Sequence, residues 1–206
     1  LTRAMNTGLL QSRGDVVLFV DDDIIPFPQL LVHHLDAHNC FQEAGAVVGM
    51  VLQPGQNPCA LPARTNRSLL WRDLDFPFNS TLESWVDNVI ACNLSVKRQQ
   101  ALSIGGFDEA FPPPVAFRFE SEFAKRLIRA GGRIRFSPAA AIYHLAASSG
   151  GTRSLGSQLT SASPRYGVGD FYFALRCGRG WYRIIYLLYR PFRQVRTRFH
   201  LRHPWW

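Results

Sequence analysis

The run Val16-Val17-Leu18-Phe19-Val20 leads directly into Asp21-Asp22-Asp23, and no other feature of this 206-residue chain constrains its fold and chemistry so tightly. Five apolar residues, mostly β-branched, read as a buried parallel strand. Three carboxylates at one point repel one another and cannot share a dry interior without a cation. Open α/β sheets present their ligands at the carboxyl ends of their strands. The segment therefore predicts a hard divalent metal held by one or two carboxylates together with substrate phosphates. For the acidic cluster taken alone, the alternative is a solvated, idle loop.

The rest of the chain alternates helix and strand patterns, as an α/β domain does. Residues 2–11 read as a helix end, and a helix over residues 29–41 would carry Leu30, Leu31, His34, Leu35 and His38 on one face. Residues 46–52 form a second apolar run, and residues 86–96 a third, leading into a short helix near residues 99–103. Phe119, Phe123 and Leu127 recur every four residues in a helix over residues 119–130, which Gly131-Gly132 terminates. Residues 133–136 and 140–144 read as two short strands. Residues 53–80 are proline-rich and irregular, and residues 148–164 are small, polar and glycine-rich, the pattern of a mobile segment. Helical, aromatic-rich patterning returns at residues 169–189.

Charge is segregated. Residues 150–206 hold ten Arg against one acid, Asp170, while the preceding residues nearly balance, so the formal net charge of +8 belongs to the tail. No stretch of eighteen uncharged apolar residues suggests a membrane-spanning helix. Cys40, Cys59, Cys92 and Cys177 form no Cys-x-x-Cys pair, which argues against a zinc site and a disulfide framework and for a reducing cytosol.

Five segments in order carry a family likeness. Arg3-Ala4-Met5-Asn6-Thr7-Gly8 is followed by Gly14-Asp15 and the strand into Asp21-Asp22-Asp23. Then come Cys92-Asn93-Leu94-Ser95-Val96-Lys97-Arg98, Gly105-Gly106-Phe107-Asp108-Glu109, and Glu120-Ser121-Glu122-Phe123-Ala124-Lys125-Arg126-Leu127, with His144 at a strand end. Over residues 3–153 the chain resembles family 2 glycosyltransferases. The resemblance implies a GT-A (Rossmann-like) α/β fold: a mixed, mostly parallel sheet with helices on both faces, followed by a basic amphipathic C-terminal helical tail. It also implies N-terminal truncation, since the family's strands for the nucleotide base and ribose would precede Leu1. Residues 1–153 are then the carboxyl-side part of the catalytic domain, and residues 154–206 a mobile linker with a basic, aromatic-rich tail. The base of a donor should bind hardly at all to such a fragment.

The same resemblance implies site roles. Asp21 and Asp23, two apart on an extended strand, point the same way toward a Mg²⁺ or Mn²⁺ ion, with His144 as a third contact to the metal or diphosphate. Asp21, Asp22 and Arg153 would contact the donor. Glu120 is the candidate general base of an inverting transfer. It stands as Phe119-Glu120 where the family commonly has Glu-Asp. Glu122 is its rival and an acceptor-side candidate, and its bland reading is a helical ion pair with Arg126. Asn93 and Asp108 are acceptor-side candidates too, the first alternatively structural and the second alternatively a turn cap. Trp71 and Trp85 would stack on an acceptor sugar or be buried.

The expected activity is transfer of a sugar from a nucleotide-sugar donor to a saccharide or lipid-linked acceptor. The tail's mixture of Arg with Trp181, Ile184, Ile185, Leu187 and Leu188 suggests a membrane interface rather than nucleic acid. Location is then cytoplasmic, peripheral at the inner face of the cell membrane. Two other classes compete. A haloacid-dehalogenase-type phosphohydrolase also has Asp-x-Asp after a strand, but Ile25 stands where it needs a hydroxyl. A non-catalytic, truncated or degenerate membrane-docked saccharide-binding module is the other.

Overall fold

A computed structural model describes residues 1–60, 77–113, 116–147, 165–178, 180–195 and 198–203. Helix α1 spans Thr2–Gln11, β1 Val16–Val20, β2 Ile24–Pro26, α2 Leu30–Cys40, β3 Ala44–Leu52, β4 Ser84–Val86, β5 Asn93–Lys97, α3 Arg98–Ser103, α4 Phe119–Arg129 and β6 Arg133–His144. Three helices follow: α5 Arg165–Cys177, α6 Gly180–Val195 and α7 Arg198–Arg202.

One mixed sheet organises these elements, in the order β1-β5-β3-β6-β2, with β4 also on β6. Strand β3 is its centre and is buried along its whole length. The sheet is not mostly parallel. Among the described strands only β3–β6 pair in parallel, and the β1–β5, β3–β5, β2–β6 and β4–β6 pairings are antiparallel. Nor is β1 a buried parallel strand: its residues are half-buried to exposed and its described partner is antiparallel. An apolar run reports hydrophobic surroundings, not strand direction. Direction nevertheless matters here. Since β5 runs against both β1 and β3, the strands β1, β3 and β6 all point the same way, and their carboxyl ends meet at one edge of the sheet.

Two expected strands at residues 133–144 are one strand with a bulge. Its register on β3 jumps from Gly49↔Ser137 to Met50↔Ala141, so Pro138, Ala139 and Ala140 have no counterpart. Gly49 makes this possible: a Cβ there would lie 1.9 Å from the Ala140 carbonyl oxygen and 2.2 Å from Asn93 Nδ2. Conversely, the expected strand at residues 86–96 is two short strands, β4 and β5, separated by a loop.

Helices cover both faces. On one side, Phe107, Phe111, Phe119, Phe123 and Leu127 pack with Val48, Val96 and Phe136 in the main core. On the other lies α2, and here the apolar pattern misleads. Leu31 and Leu35 are 64% and 49% exposed, while His34, Ala37 and His38 turn inward. The histidines are admitted because three of their four ring nitrogens are bonded, His38 Nδ1 being the exception. His34 Nε2–H donates to Asn93 Oδ1 and its Nδ1 accepts from Ser95 Oγ, both at 2.8 Å, and His38 meets the same Oγ at 3.0 Å.

Beyond residue 164, α5 lies against α4 and adds Phe173 and Cys177 to the main core. Helix α6 contributes Tyr186, whose hydroxyl donates to the fully buried Asp170. Among the described residues, no helix is long and apolar enough to cross a membrane.

Candidate active site

The carboxyl ends of β1, β3 and β6 bring together residues distant in sequence. Val20 pairs with Asn93 at the end of the β1–β5 ladder, so the next residues, Asp21 and Cys92, face each other across it. Strand β6 ends at His144, opposite Ile24 of β2, and Gln53 directly follows β3. His144 Nε2 lies 3.4 Å from Asp21 Oδ2 and 3.3 Å from Asp23 Oδ1. Both carboxylates therefore turn to the same side, as residues two apart on an extended segment do. Asp23 is further tied to the chain after β6: its Oδ2 accepts from the Ala147 N–H and its carbonyl from the Leu145 N–H. Asp22 is exposed between them.

Gln53 Oε1, 3.0 Å from His144 Nδ1, accepts from that nitrogen, and Nε2 on the other side of the ring faces the two carboxylate oxygens. Two carboxylates converging on one ring nitrogen repel each other unless positive charge stands among them. A proton on Nε2 meets that need, and so does a metal. Asp21, Cys92 and His144 place one ligand atom each within 4.8 Å of one another. This donor set fits a divalent metal, with Asp21 and His144 as its expected ligands, Asp23 beside them, and Gln53 fixing the tautomer from behind. The Asp21 carboxyl itself is raised above its usual range. Burial is the largest cause, His144 opposes it, and the charges of Asp23 and Asp22 add to it.

Glu120 faces the same space. A cavity of about 290 Å³ is lined by Asp21, Cys92, Glu120 and His144 on its polar side and by Met5, Phe19, Ile90 and Phe119 on its apolar side. Glu120 stands in the first turn of α4, where its Oε1 accepts from the Ala91 N–H at 2.6 Å. Burial pushes its carboxyl up to about 7, and the charge of Asp21 adds to the shift, while the Ala91 bond and Arg118 act against it. The turn that delivers it is strained: Ala116 and Arg118 have φ of 43° and 73°, a region costly for residues with a Cβ. Arg118 is held there by Asp170, Nε to Oδ1 at 3.0 Å.

Three acceptor-side candidates lie elsewhere. Asn93 is fully buried, and its amide donates to the Met50 and Ala140 carbonyls while accepting from His34. It staples three strands to α2 and has no atom left for a sugar. Glu122 is fully buried in a two-pronged ion pair with Arg126, at 2.6 and 2.7 Å. Asp108 caps its own turn through the Ala110 N–H and accepts from the Tyr172 hydroxyl at 2.8 Å. Asp108 and Arg126 line a separate surface cleft with Asn6 and Arg176. Trp85 is covered by the Arg133 guanidinium, 3.7 Å from its ring centre. Arg153 and Trp71 lie outside the described residues.

The motif Gly105-Gly106-Phe107-Asp108-Glu109 has a structural partner in Asn6. The Asn6 amide donates to the Phe107 carbonyl at 2.8 Å and accepts from the Phe107 N–H at 2.7 Å. Gly106, at φ 65°, is required there: a Cβ would sit 2.4 Å from Asn6 Oδ1. Cys92, Gln53 and Ala91 are the site residues that sequence reading passed over. Cys92 was recoverable from cross-strand register with Asp21. No sequence signal marks Gln53.

Known proteins place this architecture. The solved structure of GalNAc-T7 with UDP, GalNAc and Mn²⁺ superposes with a TM-score of 0.55 at 12% identity, covering 85% of this chain and 37% of that one. The mannosyltransferase PcManGT from Pyrobaculum calidifontis, in complex with GDP-Man and Mn²⁺, superposes with 0.53 at 19% identity over 100% and 50% of the two chains. S. aureus TarS superposes with 0.50 at 13% identity over 85% and 44%. The fold is that of GT-A glycosyltransferases. No family model matches the chain. In sequence, this GT-A chain is 31% identical over 145 residues to the pre-mycofactocin glycosyltransferase of Mycobacterium tuberculosis, in two strains. It spans 29% of that protein's length, and the alignment takes in 68% of this chain.

Proposed function

We propose that this chain forms part of a metal-dependent, inverting glycosyltransferase of the family 2 type, moving a sugar from a nucleotide-sugar donor to a saccharide or lipid-linked acceptor. The carrying observation is that Glu120, its carboxyl pushed up to about 7, lines the cavity that also contains Asp21 and His144. The sequence relative and the Mn²⁺ and nucleotide-sugar complexes among the structural neighbours support it.

Glu120 is the general base. A carboxylate with a pKa near the working pH takes a proton effectively from an acceptor hydroxyl as its oxygen attacks the anomeric carbon. The Ala91 N–H fixes one of its oxygens and leaves the other for the acceptor. Asp21, Asp23 and His144 hold the donor's metal end, with Asp22 and Arg153 as further donor contacts. When bound, Mg²⁺ or Mn²⁺ neutralises the charge that develops on the departing diphosphate. Met5, Phe19 and Phe119 exclude water, which favours transfer over hydrolysis.

The tail supports placement at the cytoplasmic face of a membrane. Trp181, Ile184, Ile185 and Leu188 of α6 are exposed at i, i+3, i+4 and i+7 spacing, with Arg183 beside them. Co-sedimentation with anionic liposomes should fall sharply for the Trp181→Ser/Leu188→Ser double variant, and unchanged binding removes this part of the reading.

For transfer itself, the decisive experiment uses the full-length protein. Asp23→Ala should abolish sugar transfer, and the wild-type product should have the anomeric configuration opposite to the donor's. Turnover retained in Asp23→Ala sinks the metal assignment. Wild-type protein that binds saccharide yet neither transfers nor hydrolyses a donor is the non-catalytic module instead.

A further inference from the structure

The thiol of Cys92 is a buried nucleophilic group at the mouth of the ladder, directly across from Asp21, and the general-base mechanism gives it no task. Its sulfur, an Asp21 oxygen and a His144 nitrogen lie within 4.8 Å of one another. The three come from separate segments: the end of β1, the residue before β5, and the end of β6. We propose that Cys92 is a sulfur donor to the metal of this cleft, making an oxygen–nitrogen–sulfur site that prefers borderline and thiophilic divalent ions such as Zn²⁺ and Co²⁺ to Mg²⁺. The proposal rests on the reading of the cleft as a metal site and goes beyond it, because a sulfur donor strengthens that preference beyond what oxygen and imidazole alone would give.

Ligand chemistry carries the argument. Mg²⁺ takes hard oxygen donors and near-ideal octahedral geometry, whereas thiolate and imidazole suit Zn²⁺ and its neighbours. Tetrahedral bonds of about 2.0–2.3 Å need ligand atoms closer than they stand here, so closure by roughly 1 Å is required. The Asp21 side chain, 44% exposed, has the freedom to supply it. His144 is already aimed, since Gln53 fixes its other nitrogen. Binding breaks the Cys92 S–H bond, forms a metal–sulfur bond and releases the proton to solvent. Without the ion, burial and the charges of Glu120 and Asp21 hold the thiol protonated. A divalent cation reverses that local balance.

The test titrates Co²⁺ alone into the metal-free chain under reducing, anaerobic conditions. The expected result is a near-ultraviolet thiolate-to-cobalt charge-transfer band that saturates at one ion per chain and is lost in Cys92→Ser. Zn²⁺ affinity in Cys92→Ser should drop roughly 10–100-fold, with Mg²⁺ affinity hardly moved. Extended X-ray absorption on the unsubstituted chain with Zn²⁺ should show one sulfur neighbour at about 2.3 Å, an answer that needs no variant to fold. Co²⁺ binding of equal strength in both proteins, with no band and no sulfur neighbour, overturns the Cys92 proposal and leaves the metal site standing. No binding of Co²⁺, Zn²⁺ or Mn²⁺ to either protein overturns both.

Discussion

Glu120 and Glu122 are two residues apart on the first turns of α4, and the fold treats them oppositely. Glu122 is fully buried and gripped at both oxygens by Arg126, which also donates to the Ile104 and Gly106 carbonyls. Glu120 borders a cavity, accepts a backbone N–H, and is pushed up to about 7 by desolvation. The first is a structural rivet that ties α4 to the Gly105-Gly106 turn. Among the described residues the second has no direct ion-pair partner, and so has a proton equilibrium available for chemistry. A carboxylate's role is set by whether its counter-charge is fixed in the fold or must arrive with a ligand.

The sharpest way to break this contrast is to exchange the carboxylates for amides. Glu120→Gln should lower transfer by the full-length protein by roughly 10²–10⁴-fold, while thermal unfolding stays unchanged or rises, because an unfavourably buried carboxyl is removed. An active Glu120→Gln protein would end the assignment. Arg126→Ala, next in size, strands the buried Glu122 charge and should cost about 3–5 kcal/mol in denaturant unfolding. A loss below 1 kcal/mol would mean that Glu122 finds another partner, Arg176 at 3.8 Å being the nearest.

The pH dependence separates activity from stability. With Glu120 in the proposed role of ionised base, transfer should decline as pH falls through about 7, following the ionised fraction. Stability should follow the buried histidines of α2 instead. His38 is pushed down to about 4 by burial and by Lys97, and His34 is lowered by burial. The unfolded chain takes up the His38 proton near pH 6.5 and the folded one resists until about pH 4, with His34 shifted in the same direction. Stability is thus complete above the upper value and is lost as pH falls through that window, on the order of 3 kcal/mol for His38. Coincident activity and unfolding curves would show that the acid limb reports unfolding, not Glu120. The smallest expected effect is a control on the rivet. Glu43→Gln breaks an ion pair with Arg133 whose partners are about half exposed, and should move stability by less than about 0.5 kcal/mol.

Much of the architecture was legible because it rests on local periodicity. Helix α4 follows from Phe119, Phe123 and Leu127, all buried as a helical stripe requires. The strand into Asp21-Asp22-Asp23 was legible for the same reason. Failures occur where a partner from elsewhere decides the outcome. Leu31 and Leu35 lost the inward face of α2 to His34 and His38, because Asn93 and Ser95 offered hydrogen bonds. The two strand patterns at residues 133–144 join because both pair with β3, across a bulge that Gly49 accommodates. Sheet direction was misjudged because an apolar run alone does not report which way the neighbouring strand runs, and β1 carries one although it is antiparallel to β5 and only half-buried.

By itself, the sequence determined most helices, the acidic run at a strand end, and the two glutamates in the first turns of one helix, since each depends only on neighbours along the chain. Only the tertiary structure decided that Asn93 is a staple, that Glu122 is neutralised by Arg126 while Glu120 opens onto a cavity, and that Cys92, Gln53 and His144 converge on Asp21. Burial, pairing and metal-ligand geometry are properties of what lies across a gap, and the β1–β5 register and the shared direction of β1, β3 and β6 close those gaps here.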